Sequence, residues 1–300
     1  MSGSYCNYYE GLVVRAVGGF YYVKIDGKVV QTKPRGIFRK EGFVVLPGDR
    51  VKVTLTEGCD GIIEEVTERK NFFTRPPIAN MDQVFVVISV KKPKADLLFL
   101  DKLLIMAIKE KITPVLCVNK IDIDDGNLAQ DLKRAYGNAG VEVILVSAKT
   151  KYGLESIEAL LDSRVTCFAG QSGVGKSSIL NAIAGKEVME TGVVSKKIGR
   201  GKHTTRHIEL VEIAKDSYIA DTPGFTSFEI TDITLEDLQN YYPEIKKYEE
   251  MCRFSMCSHI KEPDCRVKTA LEDGKIDEGR YKRYCELYNY IKEEQLRRGF

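Results

Sequence analysis

Short apolar runs separated by glycine-containing turns fill the first 70 residues, and they show no helical period. The turns include Gly18-Gly19 and Asp26-Gly27. The runs predict strands at residues 11–17, 20–25, 28–32, 42–45, 50–56 and 61–66. Several short strands at this spacing are typical of a small β-barrel or sandwich.

After a linker-like stretch at 72–80, the pattern changes to buried strands alternating with amphipathic helices. Apolar runs predict strands at residues 84–90, 114–118, 141–146, 165–169 and 218–220. Helical periodicity appears at 97–111 and 128–139, and the alternating run at 208–213 suits a sheet edge. This order is typical of a mostly parallel α/β sheet. From about residue 231 helix formers dominate, notably at 235–242 and 277–298.

Composition narrows the class of protein. With 300 residues, 43% apolar and 29% charged, the chain is globular and long enough for about two domains, or three small ones. The longest uncharged apolar run, 84–90, is far below the ~18 residues that span a bilayer. The N-terminus has no basic segment followed by an apolar one, so we expect a cytoplasmic protein with no membrane partner.

Charge is nearly balanced overall but not locally. The formal net charge of +2 argues against a uniformly basic nucleic-acid-binding coat. Residues 15–40, however, contain seven basic side chains and one acidic one, and residues 195–207 contain five basic side chains and no acidic one. Each segment is either part of an RNA-binding surface or simply a solvated face.

A phosphate-binding loop follows the strand at 165–169 and opens a helical run at 178–184. Its pattern, G-x-x-x-x-G-K-S, predicts nucleotide contacts from Gly170, Gln171, Ser172, Gly173, Val174, Gly175, Lys176, Ser177 and Ser178. The glycines let successive backbone N–H groups point at phosphate oxygens, and the helix N-terminus adds its dipole. Lys176 is expected to reach the β- and γ-phosphates, and Ser177 to ligate Mg²⁺.

Two further motifs end predicted parallel strands and indicate a guanine pocket. The first, N-K-x-D, consists of Asn119, Lys120, Ile121 and Asp122; the second, S-A-K, consists of Ser147, Ala148 and Lys149. The Asp122 carboxylate can accept from the guanine N1–H and exocyclic amine, whereas adenine presents an acceptor at N1. Ligands of such sheets bind at the carboxyl ends of the strands. Alone, N-K-x-D is also compatible with an Asx-capped turn.

A D-x-x-G motif follows the strand at 218–220, where Asp221 is expected to hold a Mg²⁺ ligand water and Gly224 to meet the γ-phosphate. Between this motif and the phosphate loop lie Thr204 and Thr205, one of which is expected to ligate Mg²⁺. The alternative is that the two threonines only begin the strand at 208–213.

The order of these motifs differs from that of a Ras-like GTPase, because N-K-x-D and S-A-K precede the phosphate loop. Joining the original ends and reopening the chain elsewhere preserves the sheet, since domain termini often lie close together. The D-x-x-G loop then leads directly into the C-terminal region.

With this order and the G-x-H-T-T stretch at 201–205, the whole chain resembles the circularly permuted GTPases of the RsgA (YjeQ) type, which act in maturation of the small ribosomal subunit. The resemblance implies an OB-type β-barrel (1–70), a permuted Ras-like P-loop GTPase domain (71–227) and a helical zinc-binding domain (228–300). It also implies GTP hydrolysis stimulated by the small subunit, with ribosomal RNA contacted by the barrel and the zinc domain. We expect a monomer that binds GTP or GDP.

A cysteine and histidine cluster in the C-terminal region predicts a structural metal site. Cys252, Cys257, His259 and Cys265 supply three thiolates and one imidazole, the donor count of a closed tetrahedral Zn²⁺ site. Their spacing is unlike that of common zinc fingers, although the resembling family has it. The alternative is a set of reduced, buried cysteines beside a surface histidine.

Catalysis is expected to depend on a partner. The residue after D-x-x-G is Phe225, whose ring cannot orient a water as glutamine does in many GTPases, so intrinsic turnover should be slow. His203, beside the switch threonines, is the candidate to position water, as suggested for the family, or else an exposed contact to RNA phosphate.

Two competing interpretations are an RNA-binding module gated by GTP, in which hydrolysis only resets binding, and an ATPase with an accidental N-K-x-D.

Overall fold

The computed structural model describes residues 8–56, 60–74, 77–184, 208–221 and 233–298. The N-terminal strands are β1 (Tyr8–Val17), β2 (Phe20–Ile25), β3 (Lys28–Pro34), β4 (Arg50–Leu55) and β5 (Asp60–Val66). They pair in the order β1-β2-β3-β5-β4, and β4 returns to β1, so the five described strands close into a barrel. The tight turns use positive φ at Gly18, Gly19, Asp26 and Gly27. The predicted small barrel is confirmed.

One predicted strand of the barrel, at 42–45, is wrong. A short helix, α1 (Gly36–Lys40), precedes it, and the Phe43 N–H bonds to the Phe38 carbonyl 2.9 Å away instead of to a neighbouring strand. Phe38 and the buried Val45 both pack against the barrel core, which an irregular loop allows and an added strand would not. Tertiary packing therefore overrides the local apolar pattern.

The stretch at 72–80 is more ordered than a linker. Strands β6 (Phe72–Thr74) and β7 (Pro77–Ala79) form an antiparallel hairpin. Phe73 and Ile78 face the core, and Asn71 and Asn80 hold the base of the hairpin through bonds to backbone groups. Proline at the first position of β7 is compatible with a strand because it removes no internal ladder donor.

The next part of the chain forms the predicted α/β sheet. Its strands are β8 (Gln83–Ser89), β9 (Thr113–Asn119), β10 (Glu142–Leu145), β11 (Val165–Ala169), β12 (Glu209–Ala214) and β13 (Ser217–Asp221), in the order β10-β9-β8-β11-β13-β12. All neighbours are parallel except β12 and β13. The helices are α2 (Leu97–Lys109), α3 (Leu128–Asn138), α4 (Leu154–Leu161) and α5 (Lys176–Ala184).

Both faces of this sheet are covered by helices, as its continuous apolar strands predict. On one side Val84, Val86 and Ile88 of β8 pack against a core that includes residues of α2 and α3. On the other side Phe85 and Val87 pack against residues of α4 and α5. The alternation along β8 thus separates two apolar layers around one sheet.

The barrel and the α/β sheet are joined edge to edge. Strand β12 contacts β1 at the pair Arg15 and Glu209, so the described strands β1–β5 and β8–β13 form one 11-stranded sheet. A salt bridge between Arg15 and Glu209 (3.7 Å) and a second between Lys24 and Glu212 reinforce this contact. Strand β12, predicted as an edge, is therefore the link between the two regions.

The C-terminal region is helical. It contains a 3-10 helix (Leu238–Tyr241), α6 (Pro243–Glu249), α7 (Arg266–Glu272) and α8 (Glu278–Arg298). Of the helical stretch predicted at 235–242, only the 3-10 helix at 238–241 forms, and α6 begins after it at Pro243, a residue favoured at the first position of a helix. Among the described residues, no helix combines the length and the apolar character that crossing a membrane requires.

Candidate nucleotide site and metal cluster

Parallel strands bring the predicted nucleotide motifs to one edge of the sheet. Asn119 is the last residue of β9, Gly170 follows the end of β11, and Ser147 lies two residues beyond β10. Because these strands run in the same direction, their carboxyl ends meet at one edge, where α/β sheets bind ligands.

The phosphate loop needs glycine at two positions because of what lies next to it. A Cβ on Gly170, whose φ is +139°, would stand 2.2 Å from the Val87 carbonyl oxygen. On Gly175, with φ +101°, it would stand 2.2 Å from Asn119 Nδ2. The loop is thus in contact with β8 on one side and with the N-K-x-D motif on the other, and its backbone conformation strongly favours glycine.

Lys176 begins α5 and folds back over the loop. Its ammonium donates to the Gly170 carbonyl (2.7 Å) and the Gln171 carbonyl (2.9 Å), and burial lowers its pKa. Val174 is buried and anchors the loop in the core shared with α5, whereas Ser172 is exposed. A partly desolvated ammonium beside a helix N-terminus favours an anionic ligand.

Asn119 connects all three motifs through its buried side-chain amide. Its Nδ2 donates to the Val174 carbonyl (2.9 Å) in the phosphate loop. Its Oδ1 accepts from the backbone N–H groups of Lys120 (2.7 Å) and Ala148 (3.2 Å). Lys120, at φ +65°, adds a second link by donating its ammonium to the Gly173 carbonyl (2.7 Å).

Asp122 is exposed but held by one hydrogen bond. The Ser147 hydroxyl accepts from the Thr150 N–H (3.1 Å) and donates to Asp122 Oδ1 (2.7 Å). This arrangement leaves Oδ2 and one lone pair of Oδ1 available to a ligand. Of the remaining predicted residues, Ile121 packs partly against the core and Lys149 is exposed.

Several predicted residues lie outside the described part of the chain: His203, Thr204, Thr205, Gly224 and the basic segment at 195–207. Asp221 ends β13, next to the strand that carries the phosphate loop, and its side chain is likewise not described.

The predicted metal ligands come together. One ligand atom from each of Cys252, Cys257, His259 and Cys265 lies within 4.8 Å of the others. His259 Nδ1 is 3.6 Å from Cys252 Sγ and 3.5 Å from Cys265 Sγ. Three sulfurs and one imidazole nitrogen at these separations could hold a metal ion.

Two residues that support the cluster without being candidate ligands could not be recognised from the sequence. Gln239 Oε1 lies 2.8 Å from His259 Nε2, which leaves Nδ1 facing the sulfurs. Glu262 accepts from the Ser258 N–H (2.9 Å) and hydroxyl (2.7 Å), and so organises the loop between the ligands. Burial raises the pKa of Glu262, but these hydrogen bonds outweigh it and bring the pKa to about 2. No spacing rule marks either residue.

The permuted order of the loops on this sheet defines the chain as a circularly permuted P-loop GTPase in fold. The sequence model described as RsgA GTPase matches residues 66–231, and that described as RsgA N-terminal domain matches residues 10–63. The chain belongs to the RsgA GTPase family, which confirms the resemblance seen in its motifs.

Relatives that align over nearly the whole chain support this family assignment. A protein of Ruminiclostridium cellulolyticum named small ribosomal subunit biogenesis GTPase RsgA is 48% identical over 94% of each chain. A protein of the same name from Geobacillus kaustophilus is 43% identical over 96% of this chain and 99% of its own. Among solved structures, YloQ, described as a circularly permuted GTPase, matches with a TM-score of 0.82, 36% identity and 98% coverage of both chains. YjeQ from Thermotoga maritima matches at 0.83 and 36%, over 95% of this chain and 99% of its own.

Proposed function

We propose that this chain hydrolyses GTP during maturation of the small ribosomal subunit and that the subunit stimulates turnover. The observation that carries the proposal is the Asn119 amide, which ties the phosphate loop to both base-binding motifs at one sheet edge. The full-length relatives, named as small ribosomal subunit biogenesis GTPases, support the biological setting.

Each motif takes a defined part of the nucleotide in this proposal. The phosphates lie against the backbone of Gly170 to Ser178, with the Lys176 ammonium moving from its carbonyl partners to phosphate oxygens. Asp122 accepts from guanine, and Ala148 supports the base from the other side. The base-contacting set is Asn119, Lys120, Ile121, Asp122, Ser147, Ala148 and Lys149.

Magnesium and the switch residues complete the site. The Ser177 hydroxyl, in the first turn of α5, would hold Mg²⁺, which when bound would neutralise charge on the β- and γ-phosphates. We assign Thr204 or Thr205 as a further ligand, Asp221 to a ligand water, and Gly224 to the γ-phosphate. His203 is the candidate to position the attacking water.

We assign a different function to each of the three consecutive domains. We assign RNA binding to the barrel (1–70), hydrolysis to the permuted domain (71–227) and a structural zinc site to the helical domain (228–300). We further propose that the protein is a monomer and acts in the cytoplasm, where it would bind the ribosomal subunit. A second candidate, the GTP-gated RNA-binding module, is supported by the ion pairs that join β12 to the barrel, because β12 follows the predicted switch threonines.

Turnover with purified subunits tests the proposal. GTP hydrolysis should rise at least about 10-fold with small subunits, because an ordered partner supplies what Phe225 cannot. Large subunits and free ribosomal RNA serve as controls. Stimulation should fall steeply with salt if phosphate contacts dominate binding. Binding without stimulation would contradict the proposal and favour the gated module.

Elemental analysis and metal removal test the zinc assignment. We expect about one zinc per chain, and its removal by a chelator should lower the thermal midpoint of the C-terminal region, because a closed thiolate site stabilises a small domain directly. Cys265→Ser should reproduce the loss, whereas Cys285→Ser, outside the cluster, should retain the metal. A chain without zinc, or one unaffected by its removal, would contradict the assignment.

A further inference from the structure

Two exposed phenyl rings flank one arginine where the barrel meets the β6-β7 hairpin. The Arg69 guanidinium carbon lies over the Phe43 ring at 4.7 Å from its centroid and over the Phe72 ring at 5.5 Å. The rings remain 39% and 50% exposed, respectively. We call Phe43, Arg69 and Phe72 the aromatic platform.

The platform is rigid because hydrogen bonds to the protein interior fix the Arg69 guanidinium. Its Nε and Nη2 donate to the two carboxylate oxygens of the fully buried Asp49, at 2.7 and 2.8 Å, and Nη2 also donates to the Val44 carbonyl (2.6 Å). The Leu46 N–H holds the same carboxylate (2.7 Å). The charge of Arg69 is therefore matched inside the protein, and the side chain acts as a spacer between two rings.

Local structure keeps both phenyl rings on the surface. Alternation along β6 places Phe73 in the core and Phe72 on the surface. Phe43 is held from another side by Phe38, with ring centroids 5.7 Å apart, and Phe38 itself packs against the barrel core. Such pre-placed aromatic faces lose little conformational entropy when a ligand covers them.

The charge around the platform selects its partner. Arg39 and Lys40, in the last turn of α1, are exposed, and they form no ion pair among the described residues. Along the chain they lie within four residues of Phe43, where Glu41 is the one acidic residue; Arg69 itself is flanked by exposed Glu68 and by Lys70, which pairs with Asp82. Aromatic faces for bases beside cations for phosphates are the combination that single-stranded nucleic acid requires.

We propose that the aromatic platform stacks an unpaired nucleobase of ribosomal RNA, with Arg39 and Lys40 contacting the adjacent phosphates. The proposal rests on the function proposed above and adds a specific binding element to it. A duplex cannot use the platform, because its bases are stacked on one another. The platform therefore reads whether a segment of RNA is single-stranded rather than its sequence.

A tryptophan reporter tests stacking directly, because the chain contains no tryptophan. Phe72→Trp should show saturable fluorescence quenching with a short single-stranded RNA and much less with the same RNA in a duplex. The matched control is Tyr290→Trp on α8, an exposed ring that also faces a cation, Lys102 at 5.1 Å, but has Glu286 and Glu294 one turn away. Equal quenching in the two variants, or none in Phe72→Trp, would overturn the proposal.

Two substitutions at Phe72 distinguish stacking on a nucleobase from packing against a protein. Phe72→Leu keeps apolar bulk but removes the π face, so it should weaken single-stranded RNA and small-subunit binding about 10-fold. Basal GTP turnover should not change, because among the described residues no hydrogen bond or ion pair joins the platform to the loops at 119–122, 147–149 and 170–178. If Phe72→Leu binds like the parent chain and only Phe72→Ala is weakened, packing against a protein is indicated and the proposal fails. The oligonucleotide assay needs no ribosomal subunit, so a failure of the proposed function would appear separately, as a parent chain that subunits do not stimulate.

Discussion

Asp122→Asn is expected to weaken GTP binding about 100-fold, because a charged hydrogen-bond acceptor facing guanine is replaced by a group with one oxygen and one amine. The Ser147 hydroxyl, which already accepts from Thr150, donates to Oδ1 and would hold the amide oxygen in the same place. The new NH₂ group then faces the guanine amine, donor against donor. In xanthosine triphosphate that amine is replaced by a carbonyl oxygen, so turnover with this nucleotide should rise.

The measurement is steady-state turnover and binding with GTP, ATP and xanthosine triphosphate, before and after substitution. Asp125→Asn is the matched control, since Asp125 lies in the same loop, is largely exposed and, within the described part of the chain, forms its ion pair with Lys91 at 2.6 Å. The control should keep its preference for GTP. Unchanged ATP turnover in Asp122→Asn, together with unchanged GTP binding, would contradict a guanine pocket and favour an unrelated ATPase.

The local parts of the site are readable from the sequence because their residues are consecutive. Gly170 to Ser177 form a loop whose conformation depends on neighbouring residues and on two glycines, so a pattern of eight letters is sufficient. The permuted order is readable for the same reason, since it requires only the positions of local motifs along the chain.

Contacts between distant segments were not readable in this way. The bond from Asn119 to the Val174 carbonyl joins residues 55 apart, and it exists only because β9 and β11 flank β8. Gln239 beside His259 is similar, since a glutamine within a 3-10 helix carries no pattern that relates it to a metal cluster. The error at 42–45 has the opposite origin: a genuine apolar run is used to close a loop over the barrel core.

A buried charge network joining α2 to α8 is the largest feature that the sequence did not suggest. Asp101 is fully buried and accepts from Arg280 (2.6 Å), Arg283 (2.6 Å) and the Tyr136 hydroxyl (2.7 Å). Arg280 also pairs with buried Glu244 at 2.8 Å. Burial alone would lower the pKa of Arg280, but the two carboxylates raise it. Two positive and two negative charges thus cancel within the interface between the α/β sheet and the C-terminal helices.

Asp101→Asn is expected to destabilise this interface by about 3–5 kcal/mol, because it removes one negative charge and leaves buried Arg280 with Glu244 alone and largely buried Arg283 with no carboxylate partner among the described residues. The replacement keeps the shape of the side chain, so the loss reports charge rather than packing. Urea unfolding, followed by tyrosine fluorescence, should show a lower midpoint. Limited proteolysis should show earlier cleavage in the C-terminal helices than in the sheet, since α8 is held to α2 through this carboxylate.

Glu278→Gln gives the comparison that separates buried from exposed charge. Glu278 begins α8 and pairs with Lys282 at 2.6 Å, but the two side chains are 73% and 70% exposed, so its loss should leave the urea midpoint nearly unchanged. If Asp101→Asn and Glu278→Gln lowered stability equally, the network would not be holding α8 against α2. A large difference between them would instead mean that the C-terminal helices dock against α2 through the buried Asp101 carboxylate.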